Sequence, residues 1–282
     1  MKVNMTQGNA RYEGQFFTSY TNTRMKLYKH EVPMENDRDK ISRIYGYPRE
    51  KVDEVFRQLD EELQPCIDYI HKKYKRDMGA KLSNLEATFA FIGDQFSSEY
   101  QSFFNILRKA FEPYAGIKMV CAAATGETTN QAIQFIYDLV VSHSPMITSV
   151  LIGTNDMQKN NDSYSKPVCS PEEYRGNMDY IAKVLRHHRS KVIFNTLPPF
   201  NAAAAAEAYA HLNWIYCDDI RDEYNRIIRE VAGQNGCTLN DMAEEFKNVD
   251  GPINLSRDGL NLSCQAQCCF ADHLLGVLLG ML

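Results

Sequence analysis

Positive charge, long apolar runs and cofactor-binding loops are all scarce in this chain. Against 36 Asp and Glu stand 31 Lys and Arg, a formal charge of −5. An acidic balance gives no electrostatic reason to expect nucleic acid or an anionic membrane as partner, since either favours a basic face. A small-molecule ligand fits better. No stretch approaches the roughly 18–20 apolar residues of a membrane span, and the opening segment MKVNMTQGNARYEG lacks the apolar centre of a secretory leader. A cytoplasmic protein is the expectation. There is no GxGxxG, no P-loop and no HExxH, so no cofactor or metal is expected. The eight cysteines lack the paired short spacings of a disulfide framework or a zinc ribbon, which points to free thiols in a reducing compartment. Cys264, Cys268, Cys269 and His273 could form two i,i+4 pairs on a helix, but packing of a C-terminal helix is the commoner use of such cysteines. No internal repeat is present, and the alanine run at 202–206 is the only biased segment.

What is present changes texture near residue 86. Residues 1–85 are polar, charged and helical in periodicity, and read as an N-terminal helical extension; residues 86–282 read as the main domain. A helix is predicted to start near Pro48, with Val52, Val55, Phe56, Leu59 and Leu63 on one face, and Pro65 is expected to bend or interrupt it. The basic run 72–76 reads as a solvated helix end. The segment 41–59 can be heard as a DNA-binding helix-turn-helix, but its acidic second half would repel phosphate. A lid, or a docking site for a protein partner, is the better reading of the extension.

From residue 86 apolar runs alternate with amphipathic stretches. Runs at 87–92, 117–123, 147–152 and 191–196 are short and nearly unbroken, as in strands buried on both faces of a parallel sheet. Helices are predicted at about 98–112, 129–143, 171–188, 218–232 and 263–281, with a last strand near 237–239. Repeated βα units imply an α/β, three-layer αβα sandwich.

Four islands follow these strands: Gly93-Asp94-Gln95, Gly126, Gly153-Thr154-Asn155-Asp156, and Asp258-Gly259-Leu260-Asn261. In parallel sheets ligand groups collect at the carboxyl ends of strands, so four distant motifs can form one cleft. The ordered series, with Leu197-Pro198-Pro199 after the fourth strand, resembles the blocks of the SGNH (GDSL-like) hydrolase family over about residues 87–282. That resemblance implies a flavodoxin-like SGNH-hydrolase fold with a mostly parallel sheet. It also implies an oxyanion hole made by the residue 95 N–H, the Gly126 N–H and the Asn155 side chain, with Asp258 as the orienting carboxylate. Gln95 stands where the family has its nucleophilic Ser, and Asn261 where it has its base His. Asp94 and Asp156 take supporting roles in their turns.

Neither Gln nor Asn titrates near neutrality, so ordinary esterase chemistry is not expected. Ser97 and Ser98 read as helix caps, His273 as a packing histidine and Cys121 as an inert core thiol. Three readings follow: a cleft that binds an acyl or carbonyl-bearing ligand without hydrolysing it, an acyl-ester hydrolase or acyltransferase with non-standard or substrate-assisted machinery, and a platform whose working part is residues 1–85.

Overall fold

The computed structural model describes residues 38–247 and 258–282. The segment 1–37, which holds the expected leaderless terminus and part of the extension, lies outside them. The described strands are β1 (Ala87–Gly93), β2 (Ile117–Ala123), β3 (Ile147–Leu151), β4 (Lys159–Asn160), β5 (Lys191–Asn195), β6 (Trp214–Ile215) and β7 (Thr238–Asn240). The helices are α1 (Arg38–Tyr45), α2 (Arg49–Leu82), α3 (Gln95–Ser98), α4 (Phe103–Phe111), α5 (Thr129–Leu139), α6 (Pro171–His187), α7 (Ala202–Ala208), α8 (Asp218–Gln234), α9 (Met242–Glu245) and α10 (Cys264–Met281).

Five strands form one parallel sheet in the order β2-β1-β3-β5-β7. This is the doubly wound order in which the chain reverses direction between β1 and β3, opening a crevice beyond their carboxyl ends. The central strands are apolar on both faces, and Phe89, Ala90, Phe91, Val150 and Ile193 are at most 1% exposed. β4 and β6 form a separate two-stranded antiparallel ribbon.

Helices α5, α6 and α8 pack in sequence beside one another, while α4, α10 and α2 form a second group. Right-handed crossovers require this division, since the β1–β2 step runs opposite to the steps that follow. Aromatic stacking joins each layer: Phe103 of α4 lies on Phe270 of α10 with centroids 4.4 Å apart, and Tyr174 of α6 lies on Tyr224 of α8 at 4.3 Å. Each such buried ring stabilises the fold by about 1.5–3 kcal/mol.

The long helix corrects one expectation. α2 continues through Pro65 without a break for 34 residues. Pro65 points to solvent, so the carbonyl that loses its partner can be hydrated, and the flanking Leu63, Cys66, Ile67 and Ile70 are buried in the main core. Their packing offsets the roughly 3 kcal/mol that an interior proline costs. The basic run 72–76 therefore lies inside the helix rather than at its end, and Lys73 reaches Asp272 of α10 at 2.6 Å. The α1–α2 pair is a helix-turn-helix in outline, with Gly46 at φ +68° in the turn. Ile41 folds onto Val52, Val55 and Phe56, and the same small cluster takes in Tyr100.

Candidate functional site

The first island is a sharp strand-to-helix turn. Gly93 ends β1 where a Cβ would come within 2.2 Å of Ser97 Oγ and 2.8 Å of the Leu151 carbonyl, so only glycine lets the turn close. Asp94 caps α3, accepting the Phe96 N–H at 3.1 Å, and is fully buried. Burial pushes its carboxyl up to about 7 against the opposing pull of the Phe96 N–H and Thr154. The cap of α3 is thus Asp94 and that of α4 is Ser102. Ser97 and Ser98 lie inside α3 instead of capping a helix, and their hydroxyls find no hydrogen-bond partner among the described residues.

Gln95, the first residue of α3, is 5% exposed. Its Oε1 accepts from Asn155 Nδ2 at 3.0 Å, and the other Nδ2 hydrogen of Asn155 goes to the Glu127 carbonyl, also at 3.0 Å. One amide therefore ties together the turns after β1, β2 and β3. Gly126 precedes that carbonyl at φ +76°, a backbone state that suits glycine. Gly153, at φ +140°, leaves room for the Tyr174 hydroxyl, which donates to the Ile152 carbonyl at 2.7 Å. Asp156 accepts the Thr129 N–H at 3.0 Å and the Thr129 hydroxyl, anchoring the start of α5, and burial raises it to about 6.

The last island is built around Asp258. One carboxylate oxygen accepts the N–H groups of Leu260 and Asn261 at 2.9 Å each, and the other accepts from Asn261 Nδ2 and, at 3.1 Å, from the Tyr209 hydroxyl. Asn261 Oδ1 is buried and has no hydrogen-bond partner among the described residues. Gly259, at φ +72°, packs so tightly that a Cβ would meet the Ala205 nitrogen at 2.6 Å.

Glu99 lies four residues beyond Gln95, just past α3, and its N–H donates to the Gln95 carbonyl. It is 8% exposed, and burial holds its carboxyl well above the usual range. Asp258 and Asp94 both add to that rise. Burial also raises the phenols of Tyr209 and Tyr216, with Asp258 contributing to each. Gln267 of α10 fastens the turn from behind, donating to the Phe96 carbonyl at 3.2 Å and accepting the Phe103 N–H at 2.8 Å.

Sequence reasoning missed Glu99, Tyr209, Tyr216 and Gln267. A glutamate after a helix turn ordinarily faces water, and the tyrosines come from the connection between α7 and α8, for which no motif exists. His273 is half-buried on α10, with Nδ1 3.6 Å from Glu245. Cys121 donates weakly to the Ser97 carbonyl at 3.8 Å. Cys264 approaches Cys66 of α2, with sulfurs 3.8 Å apart, and all eight cysteines are free. Among the described residues no group of three or more His, Cys, Asp or Glu is arranged to hold a metal.

A doubly wound parallel sheet with motif-bearing turns at its carboxyl edge defines a flavodoxin-like α/β scaffold. Residues 90–263 match the model of the GDSL-like lipase/acylhydrolase family, and the chain belongs to that family. No curated protein sequence matches it. Solved structures similar to it include the lipase/acylhydrolase from Enterococcus faecalis (14% identity, TM-score 0.57, covering 69% of this chain and 96% of that one). They also include TesA (19%, 0.52, 69% and 99%) and the acetylxylan esterase Axe2 from Geobacillus stearothermophilus (16%, 0.51, 69% and 95%). At such identities the likeness shows the fold alone.

Proposed function

We propose that this family member binds an acyl or carbonyl-bearing small molecule in its cleft and does not hydrolyse esters in the ordinary way. The observation that carries the reading is the bond from Asn155 Nδ2 to Gln95 Oε1. A donor that in a working esterase would meet a developing oxyanion here meets the carbonyl of the residue standing in the nucleophile's place. Asn261 gives Asp258 the N–H that an imidazole would give, yet accepts no proton at neutral pH. Gln95, Asn261 and Asp258 are in this reading ligand-positioning groups, Gly126 and Asn155 the remains of the oxyanion hole, and Asp94 and Asp156 its supports. The eight free thiols favour a reducing, cytoplasmic setting. Among the described residues no helix is long and apolar enough to cross a membrane.

A second reading, an active acyl hydrolase or acyltransferase with altered machinery, is favoured by Glu99, a buried acid four residues beyond Gln95 whose carboxyl burial holds well above the usual range. Incubation with short p-nitrophenyl esters and a fluorophosphonate probe separates the two. The first reading expects no turnover above background and no covalent label; labelling at any residue removes it.

A further inference from the structure

Two thiols from opposite ends of the chain meet sulfur to sulfur. Cys66 lies on the buried face of α2 and is 7% exposed, while Cys264 is the first residue of α10 and is half-buried. Their Sγ atoms are 3.8 Å apart, although 198 positions separate them in the sequence. Each thiol also points at the backbone of the other helix. Cys66 Sγ approaches the Cys264 carbonyl at 3.8 Å, and Cys264 Sγ approaches the carbonyl of Glu62, one turn before Cys66, at 3.4 Å. Cys121, Cys169 and Cys237 contact oxygen atoms instead. A disulfide needs its sulfurs at about 2.05 Å, so closure asks for roughly 1.8 Å of approach, within reach of small side-chain rotations on two helices already in contact.

We propose that Cys66 and Cys264 close into a reversible disulfide when hydrogen peroxide reaches the protein, clamping α2 to the start of α10. Cys264, the more exposed sulfur, meets the oxidant first. Attack of its thiolate on the peroxide forms an S–O bond and breaks the O–O bond, leaving a sulfenic acid and a hydroxide that takes up the proton Cys264 gave off. The sulfur of Cys66 then displaces the sulfenic hydroxyl: the S–S bond forms, the S–O bond breaks, and the departing hydroxide leaves as water with the Cys66 proton. Two thiols lose two electrons and two protons, and one peroxide becomes two waters. Cys66 suits the second role, because its contact with Cys264 and its burial push its thiol up to about 12 and keep it protonated until a sulfenic partner is beside it.

The clamp is anchored next to the candidate site. Asn261 lies three residues before Cys264, and Gln267, three residues after it, holds the Phe96 carbonyl and the Phe103 N–H. A bond that closes so long a loop removes more entropy from the unfolded chain than a short loop would, so oxidation stabilises the fold.

The test uses the full chain, reduced, freed of reductant and treated with hydrogen peroxide, then alkylated, digested and read by mass spectrometry beside a melting curve. A cross-linked peptide joining Cys66 to Cys264 is expected, with Tm raised by at least about 4 °C, and dithiothreitol should reverse both. Cys264→Ser should remove the peptide and the rise in Tm, whereas Cys268→Ser, one turn further along α10, should keep them. Each variant is compared with its own reduced form, so stability lost through the substitution itself does not enter. Sulfinic acid at Cys264 with no cross-link, or a link from Cys66 to Cys268 instead, would overturn the pairing. A Cys66–Cys264 cross-link with Tm unchanged or lowered would overturn the clamp.

Discussion

Putting back the two missing groups, Gln95→Ser with Asn261→His, is the sharpest test of how much machinery remains. Shortening residue 95 removes the carbonyl that now occupies Asn155, while the 3.0 Å bond to the Glu127 carbonyl keeps that amide in place. One Asn155 hydrogen is then free to meet an oxyanion. Asp258 stays oriented by the Leu260 and residue 261 N–H groups, so a histidine at 261 finds its carboxylate already aimed. In serine hydrolases loss of nucleophile or base alone costs about as much as loss of the whole triad, on the order of 10⁶, while oxyanion donors and binding retain 10³–10⁴ over water. Each single change should therefore raise p-nitrophenyl acetate turnover less than about tenfold, and the pair together by at least about 10³. Replacing a 5%-exposed glutamine by serine leaves a small cavity and should cost about 1–3 kcal/mol, read from the melting temperature. A folded double variant with no gain would refute the claim that these turns still hold catalytic geometry; so would a single change that gives the full gain.

Three further outcomes follow from the structure. The carboxyl of Asp94 sits at about 7 in the folded chain against 3.8 when free, so its stabilising contribution is complete below pH 3.8 and disappears as pH rises through 7. Denaturant melts should show Asp94→Asn, which can still accept the Phe96 N–H, with a pH profile flatter than wild type by up to about 4 kcal/mol over that window. Gln267→Ala strips partners from the buried Phe96 carbonyl and Phe103 N–H and should cost about 2–4 kcal/mol in urea unfolding, whereas a change below about 0.5 kcal/mol would mean that Gln267 does not hold the turn. Asp272→Ala releases Lys73 and the Tyr69 hydroxyl that bind α2 to α10, and should cost about 1–2 kcal/mol, less at high salt because Lys73 is partly exposed.

The sheet was legible because strands buried on both faces are written as unbroken apolar runs: 87–92 became Ala87–Gly93 and 191–196 became Lys191–Asn195. The turns were legible for a different reason. Gly93, Gly126 and Gly259 occupy places where a Cβ would collide or the backbone turns left-handed. What periodicity could not carry was context. Pro65 reads as a break, yet it faces solvent on a helix whose opposite side is fixed by the core. Ser97 and Ser98 read as caps, yet Asp94 already fills that position. Glu99 reads as a surface charge, and nothing in its neighbours announces that the chain closes over it.

The two substitutions themselves show a pattern that their separate positions in the sequence conceal. Truncation of residue 261 to alanine would take one donor from the half-buried Asp258, and truncation of residue 95 would leave one Asn155 hydrogen unmatched. Buried groups deprived in this way cost about 1–3 kcal/mol each, more for a charge. Asparagine and glutamine avoid both penalties: Asn261 supplies an N–H to the carboxylate, and Gln95 supplies an oxygen to the amide. The residues that end proton transfer are thus the same ones that supply Asp258 with an N–H and Asn155 with an acceptor in the absence of a bound oxyanion. On that argument Asn261→Ala should destabilise the fold by more than Asn261→His does, whereas Gln95→Ala and Gln95→Ser, which free the same Asn155 hydrogen, should cost similar amounts. Chemical denaturation of the four single variants checks this ordering, and equal losses for the two residue 261 variants would show that hydrogen-bond satisfaction is not what Asn261 contributes.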